Sequence, residues 1–226
     1  MTLEEHSHNR NKVIQMKIDS KDMINSILKS VSKIDYIKPE DLPNIQLYMD
    51  QVTTFMDEQM ESSKRYPEDK VLTKTMINNY AKNHLLPPPD KKKYSKEHLL
   101  LLIFIYYFKN ILTINDIQSL LNPLTEKYFQ NKDGWNLTDI YTEVFSMEKG
   151  QIEHLKKDLI KNYKTAGETF QQAPKKDQEH LQLFSFLCLL SFDVYVKKMI
   201  LEKILDDMNG KNSSESDDHI KAKKDK

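Results

Sequence analysis

Ten consecutive apolar residues, LLLLIFIYYF from Leu99 to Phe108, constrain this chain more than any other feature. A bilayer takes about 20 apolar residues as a helix, so the run is too short to cross one. A helix apolar on every side must be covered on every side, and the flanking sequence predicts what covers it. Ser95 is placed to cap this helix, Asn110 to end it and Thr113 to cap the next, whose stripe is Ile114, Ile117, Leu120 and Leu121. Upstream, Ile45, Tyr48, Met49, Val52, Phe55, Met56 and Met60 share one side of a helix predicted over Leu42–Met60. Methionines and aromatics at that spacing are core.

Between these two lies VLTKTMINNYAKNHLL, predicted as a helix over 73–84 with Thr73 as N-cap. At 100° per residue, Met76, Ile77, Tyr80, Ala81 and His84 gather on one side. The other side is Lys74, Thr75, Asn78, Asn79, Lys82 and Asn83, with no carboxylate. A solvated face ordinarily mixes Glu with Lys for pairing. A face of Lys, Thr and Asn suits a polyanion, since lysine reaches phosphates and asparagine can pair bidentately with adenine edges.

Pro87-Pro88-Pro89 is expected to end that helix, and the basic turn 87–94 follows with Lys91, Lys92 and Lys93. From Lys70 to His98 there are seven lysines against Asp90 and Glu97, a local excess of five positive charges in a chain whose net charge is zero. Positive charge is thus concentrated where the helix and turn stand.

The order Leu72-Thr73, Ile77, Tyr80, Leu85-Leu86-Pro87, Lys93-Tyr94-Ser95, Ile111-Leu112-Thr113-Ile114 and Ile117 resembles a MerR-type winged helix-turn-helix. The longer stretch from Leu42 to Leu121 is similar to a bacterial family catalogued as domain-of-unknown-function family 1836. The resemblance implies a DNA-binding regulator, with 73–84 as recognition helix and 87–94 as wing. It also implies that Tyr80 contacts the DNA backbone and that Lys93 stands where the wing carries arginine. The sequence departs from the pattern in four places, one being the turn Pro87–Lys93, which is short and lacks the usual wing glycine. Asn78 replaces an arginine, Asn79 replaces an aromatic, and Ser62–Val71 is inserted where the family has a tight turn.

Elsewhere the reading is of helices and tails. Met1–Asn11 is expected to be disordered, with His6 and His8 too few for a metal site. A helix is predicted over Val13–Val31 and a linker over Asp35–Glu40. Asn122-Pro123 is expected to break the helix after Thr113, and Trp135 to staple a helix starting at Thr138. Further helices are predicted at Glu148–Tyr163 and Lys176–Met208. The last holds LQLFSFLCLLSFDVYV (Leu181–Val196), apolar nearly all round. Asp193 and the flanking charges exclude a membrane span. Two readings stay open for it, the centre of a C-terminal bundle or a homodimer interface, with Cys188 buried in either. Asn209–Lys226 reads as a disordered tail.

Catalysis has no motif behind it. The four glycines, Gly134, Gly150, Gly167 and Gly210, are isolated, so no phosphate loop exists. Neither HExxH, CxxC nor a nucleophile elbow occurs. No enzyme activity, cofactor or metal is expected. The single cysteine excludes an intramolecular disulfide, and MTLEEHSHNRNK lacks the apolar core of a signal peptide, so a cytoplasmic protein is expected.

The expected fold is all-α, a MerR-like winged helix-turn-helix followed by a C-terminal helical bundle. Its divisions are 1–12 (disordered), 13–121 (DNA-binding), 122–208 (dimerisation or effector sensing) and 209–226 (tail). The expected function is sequence-specific recognition of double-stranded DNA by a repressor, through Lys74, Thr75, Asn78, Asn79, Tyr80, Lys82, Lys91, Lys92 and Lys93. The alternative is a helical protein–protein adaptor that does not bind DNA, which zero net charge and the asparagine at position 78 favour.

Overall fold

In the computed structural model, which describes residues 20–210, the chain is mostly helical and divides into two units, one ending at Ile34 and one beginning at Asp35. The described part of the first unit holds α1 (Ser20–Val31), with Asp22 in its first turn and Lys29 in its last, charges that suit the helix dipole. The rest of the helix predicted from Val13, the N-terminal segment with His6 and His8, and the tail beyond Gly210 lie outside the described residues.

The second unit is built on α4 (Lys96–Phe108), in which His98 to Ile105 are all buried. The Ser95 backbone N–H donates to His98 Nδ1 at 3.0 Å and starts the helix. Around α4 stand β1 (Leu47–Tyr48), α2 (Met49–Gln59), α3 (Lys74–Lys82), β2 (Lys93–Tyr94), α5 (Ile114–Tyr128) and α6 (Leu137–Ser146). They contribute Val52, Met56, Ile77, Leu121 and Tyr141 to one continuous core. Phe104 of α4 meets Tyr141 and Phe145 of α6, with ring centroids 5.5 and 5.4 Å away. The segment expected to be a linker is part of this core. Ile37 and Leu42 are buried on either side of a 3-10 turn at Pro39–Asp41, and Tyr141 Oη donates to the Ile37 carbonyl at 2.7 Å. Sequence alone did not show this, because the partner of Ile37 lies 104 residues later.

Several boundaries differ from expectation for local reasons. The helix predicted from Leu42 starts at Met49, since Leu47 and Tyr48 pair antiparallel with Tyr94 and Lys93. The Gln51 side chain then accepts the Tyr48 N–H at 2.9 Å. The turn 87–94 is therefore not a self-contained hairpin. Within it only Asp90 bridges to Lys93, across Lys91 and Lys92 at φ 47° and 66°, while the ladder partner of β2 is β1. The prolines do not end α3. His84 takes φ 57°, its N–H donates to Ala81 O, and Leu85 N–H reaches Tyr80 O at 2.9 Å, a Schellman closure.

Pro123 does not break α5, which runs through it to Tyr128. Leu120, Leu121 and Leu124 hold the helix on both sides of the proline, and their burial outweighs the missing hydrogen bond. The expected division at Leu121 thus falls inside a helix. Trp135 is exposed and caps nothing. Asn136 Oδ1 takes that role for α6, accepting from the Thr138 and Asp139 N–H groups.

After α6, α7 (Glu148–Gly167) and α8 (Lys175–Met208) pack side by side. Tyr163 meets Phe186 edge-on at 5.6 Å, Gln182 Nε2 donates to Thr169 O and Thr169 Oγ1 donates to Ser185 Oγ. Of the whole of α8 only Phe186 and Leu205 are buried. It is not the centre of a bundle, and Cys188 is exposed. No described helix is long and apolar enough to cross a membrane.

Candidate nucleic-acid interface

The position of α3 is fixed by its own sequence and by the loop before it. Thr73 Oγ1 accepts the Met76 N–H at 3.2 Å, so the helix begins where the sequence places its cap. The inserted segment 62–71 is held onto α2 by Asp57, whose carboxylate accepts from Lys64 Nζ (2.9 Å), Lys70 Nζ (3.1 Å) and the Val71 N–H (3.3 Å). These donors, Lys64 first, hold the Asp57 carboxyl down at a pKa of about 2 against the opposing effect of burial. From the other side Lys109 Nζ donates to Val71 O at 2.7 Å, and Ser63 Oγ meets Tyr106 Oη at 2.5 Å. The insertion is a packed strut, not a free loop.

Held this way, α3 turns Ile77 and Tyr80 into the core and leaves Lys74, Thr75, Asn78, Asn79 and Lys82 exposed. Thr75, Met76, Asn78, Asn79 and Lys82 line a shallow open depression. Asn79 is oriented, because Asn83 Nδ2 donates both to its Oδ1 (3.0 Å) and to its carbonyl (2.8 Å). Lys74 forms an ion pair with Asp50 at the start of α2. That pairing lowers the free positive charge of the face.

Two residues earlier Tyr48 takes the ammonium of Lys93 over its ring, 5.4 Å from the centroid. Both Lys74 and Lys93 thus sit against the N-terminal end of α2. Lys91 and Lys92 are exposed on the turn. Tyr80 is not on this face. The residue is buried, and that burial pushes its phenol upward in pKa, on the apolar side of α3 where its spacing puts it.

Sequence reasoning placed Asn83 on this face without its bond to Asn79, and missed Asp50, Asp57 and Tyr48 as parts of this arrangement. Only Asn83 had a local signal, its i+4 spacing from Asn79 on the same helix side. No group of three or more His, Cys, Asp or Glu among the described residues is arranged to hold a metal ion. The open depressions around α2 and α3 have mixed linings, such as Thr53, Asp57, Lys70 and Lys74, and none is an enclosed pocket.

Residues 37–144 match the family model described as Domain of unknown function (DUF1836). Over this segment, just under half of the chain, the sequence is similar to the DUF1836 family. Comparison with curated proteins and with solved structures gives no match. The DUF1836 match takes in the core from Ile37, both strands, α2 to α5 and all but the end of α6; α7 and α8 lie beyond it. The candidate interface therefore lies wholly within the matched segment, while the exposed apolar helix lies wholly outside it.

Proposed function

We propose that the protein is a sequence-specific DNA-binding regulator, acting as a repressor, that lays the exposed side of α3 in a major groove. The observation that carries this reading is the acid-free exposed face Lys74, Thr75, Asn78, Asn79 and Lys82 on a helix whose other side is anchored in the core. Asn78 and Asn79 present amides that match adenine edges. Lys82, Lys91 and Lys92, exposed and in no ion pair among the described residues, supply phosphate contacts. The order strand, helix, helix, basic turn, strand, helix supports the MerR-like winged-helix reading, with the β1–β2 ladder fastening the turn to the start of α2. A repressor follows if the bound domain blocks access to its site.

One observation favours the adaptor reading. Lys74, the first cation of α3, is already neutralised by Asp50, as on a face that meets no polyanion. The two readings separate in a mobility-shift assay with the duplex upstream of the protein's own gene. The regulator binds it in preference to a scrambled duplex, and Asn78→Ala removes the preference. An adaptor binds neither.

A further inference from the structure

Both ends of the basic turn rest on one buried imidazole. Among the described residues His98, 2% exposed, is the only buried polar or charged side chain, tyrosines aside. Where the turn ends, the Ser95 N–H donates to Nδ1 at 3.0 Å, and the Ser95 hydroxyl meets the same nitrogen at 2.8 Å. Tyr94 of β2 meets the ring edge-on with centroids 5.5 Å apart, and Phe129, just past α5, does so at 4.9 Å. Where the turn begins, the Pro87 and Pro88 carbonyls act on the same ring. Between these ends Lys91 and Lys92 hold φ 47° and 66°, a left-handed pair that lysine keeps only where its surroundings impose it. The Asp90–Lys93 bridge and the pairing of β2 with β1 fix the far side of the turn. His98 joins its two ends.

This arrangement needs a neutral ring. A neutral imidazole keeps one nitrogen as acceptor, whereas in the cation both donate. The Ser95 hydroxyl and the prolyl carbonyls can accept from the cation, but the Ser95 N–H is then left facing a donor. Nothing packed on the ring supplies a compensating charge. Phe129 and the prolyl carbonyls are neutral, and burial holds the Tyr94 phenol protonated. Glu97, next to His98 on α4, is turned to the Gln130 N–H at 2.8 Å, and no carboxylate among the described residues pairs with the ring. We propose that His98 positions the basic turn 87–94 for DNA and releases it on taking up a proton, so that binding weakens in mild acid while the helical core stays folded. The effect on binding rests on the DNA reading; the release itself does not.

Release is read on the full chain without DNA, by NMR between pH 7 and 5. At pH 7 the His98 ring should carry its proton on Nε2. As the ring titrates, the Ser95 and Lys93 amides should lose protection from exchange while those of Leu101 to Ile105 keep theirs. A proton on Nδ1 at pH 7, or protection at Ser95 that does not follow the titration of the ring, overturns the proposal. Fluorescence anisotropy on the upstream duplex reads the consequence. Wild-type affinity should fall by roughly tenfold or more between pH 7 and 5, the size set by a hydrogen bond left unmade. His98→Gln, which keeps an acceptor and cannot titrate, should hold its affinity over the same range. Equal losses in the two proteins overturn the proposal and leave the DNA reading standing. A wild type that binds no duplex at pH 7 sinks the DNA reading instead, and amide protection still decides the release. A thermal melt shows whether His98→Gln folds; if it does not, the wild-type NMR titration decides alone.

Discussion

The Asp57 carboxylate and the Val71 backbone N–H, fourteen residues apart, meet at 3.3 Å, and through that contact α2 fixes where α3 begins. Asp57→Ala removes three donors' common acceptor. The expected cost is about 1–2 kcal/mol of stability after allowance for solvent screening. Chemical denaturation should show it, and DNA binding should weaken although Asp57 touches no DNA.

The same carboxylate sets an acid limit. Its folded pKa, about 2, lies below its ordinary 3.8, so the folded state binds the proton less readily than the unfolded chain. Its contribution is complete above about pH 3.8 and disappears as pH falls toward 2. Denaturation midpoints between pH 5 and 2 should fall less steeply in Asp57→Asn than in the wild type.

His98 titrates in a higher window. Burial lowers the pKa of its imidazole below the ordinary value. Nδ1 accepts from Ser95, the ring packs against Tyr94 and Phe129, and the Pro87 and Pro88 backbone carbonyls oppose the burial effect without overcoming it. The fold thus favours the neutral ring, and its stability contribution is lost as pH falls below about 6.5. His98→Gln keeps a capping acceptor without the titration. Its stability should change less between pH 7 and 5 than that of the wild type; an unchanged pH profile contradicts the assignment.

At the end of α3, His84 holds φ 57° in a position that suits glycine. His84→Gly should raise stability by about 0.5–1 kcal/mol, as relief of the left-handed strain outweighs the added freedom of the unfolded chain. A lower melting temperature would show that the His84 side chain contributes more than its backbone costs.

The parts of the fold legible in the sequence were those written locally. Thr73, Ser95 and Thr113 mark true helix starts, and the Leu99–Phe108 run is buried through most of its length because nothing else can be done with it. The exposed side of α3 was likewise fixed by spacing. What was not legible depends on distant partners. Leu47–Tyr48 becomes a strand only because Tyr94 and Lys93 arrive beside it. Pro123 stays helical because of its neighbours' burial; the burial of Tyr80, by contrast, was already written in the spacing that set it on the apolar side of its helix. Near Leu181–Val196 periodicity could say that the helix needs covering, but not that the chain itself leaves one side bare.

The most direct test of the DNA reading is the salt dependence of binding, followed by fluorescence anisotropy on a labelled upstream duplex between 50 and 200 mM salt. Removing one lysine–phosphate pairing should reduce the log–log slope by about 0.9. The wild type should bind with a steep slope. Lys82→Ala and Lys92→Ala should each flatten it by about one unit on every sequence, and Asn79→Ala should keep the slope but weaken binding by roughly 1–3 kcal/mol on the preferred site alone. Absence of salt-dependent binding to any duplex at 50 mM salt contradicts the account and leaves the basic side of α3 as solvated surface.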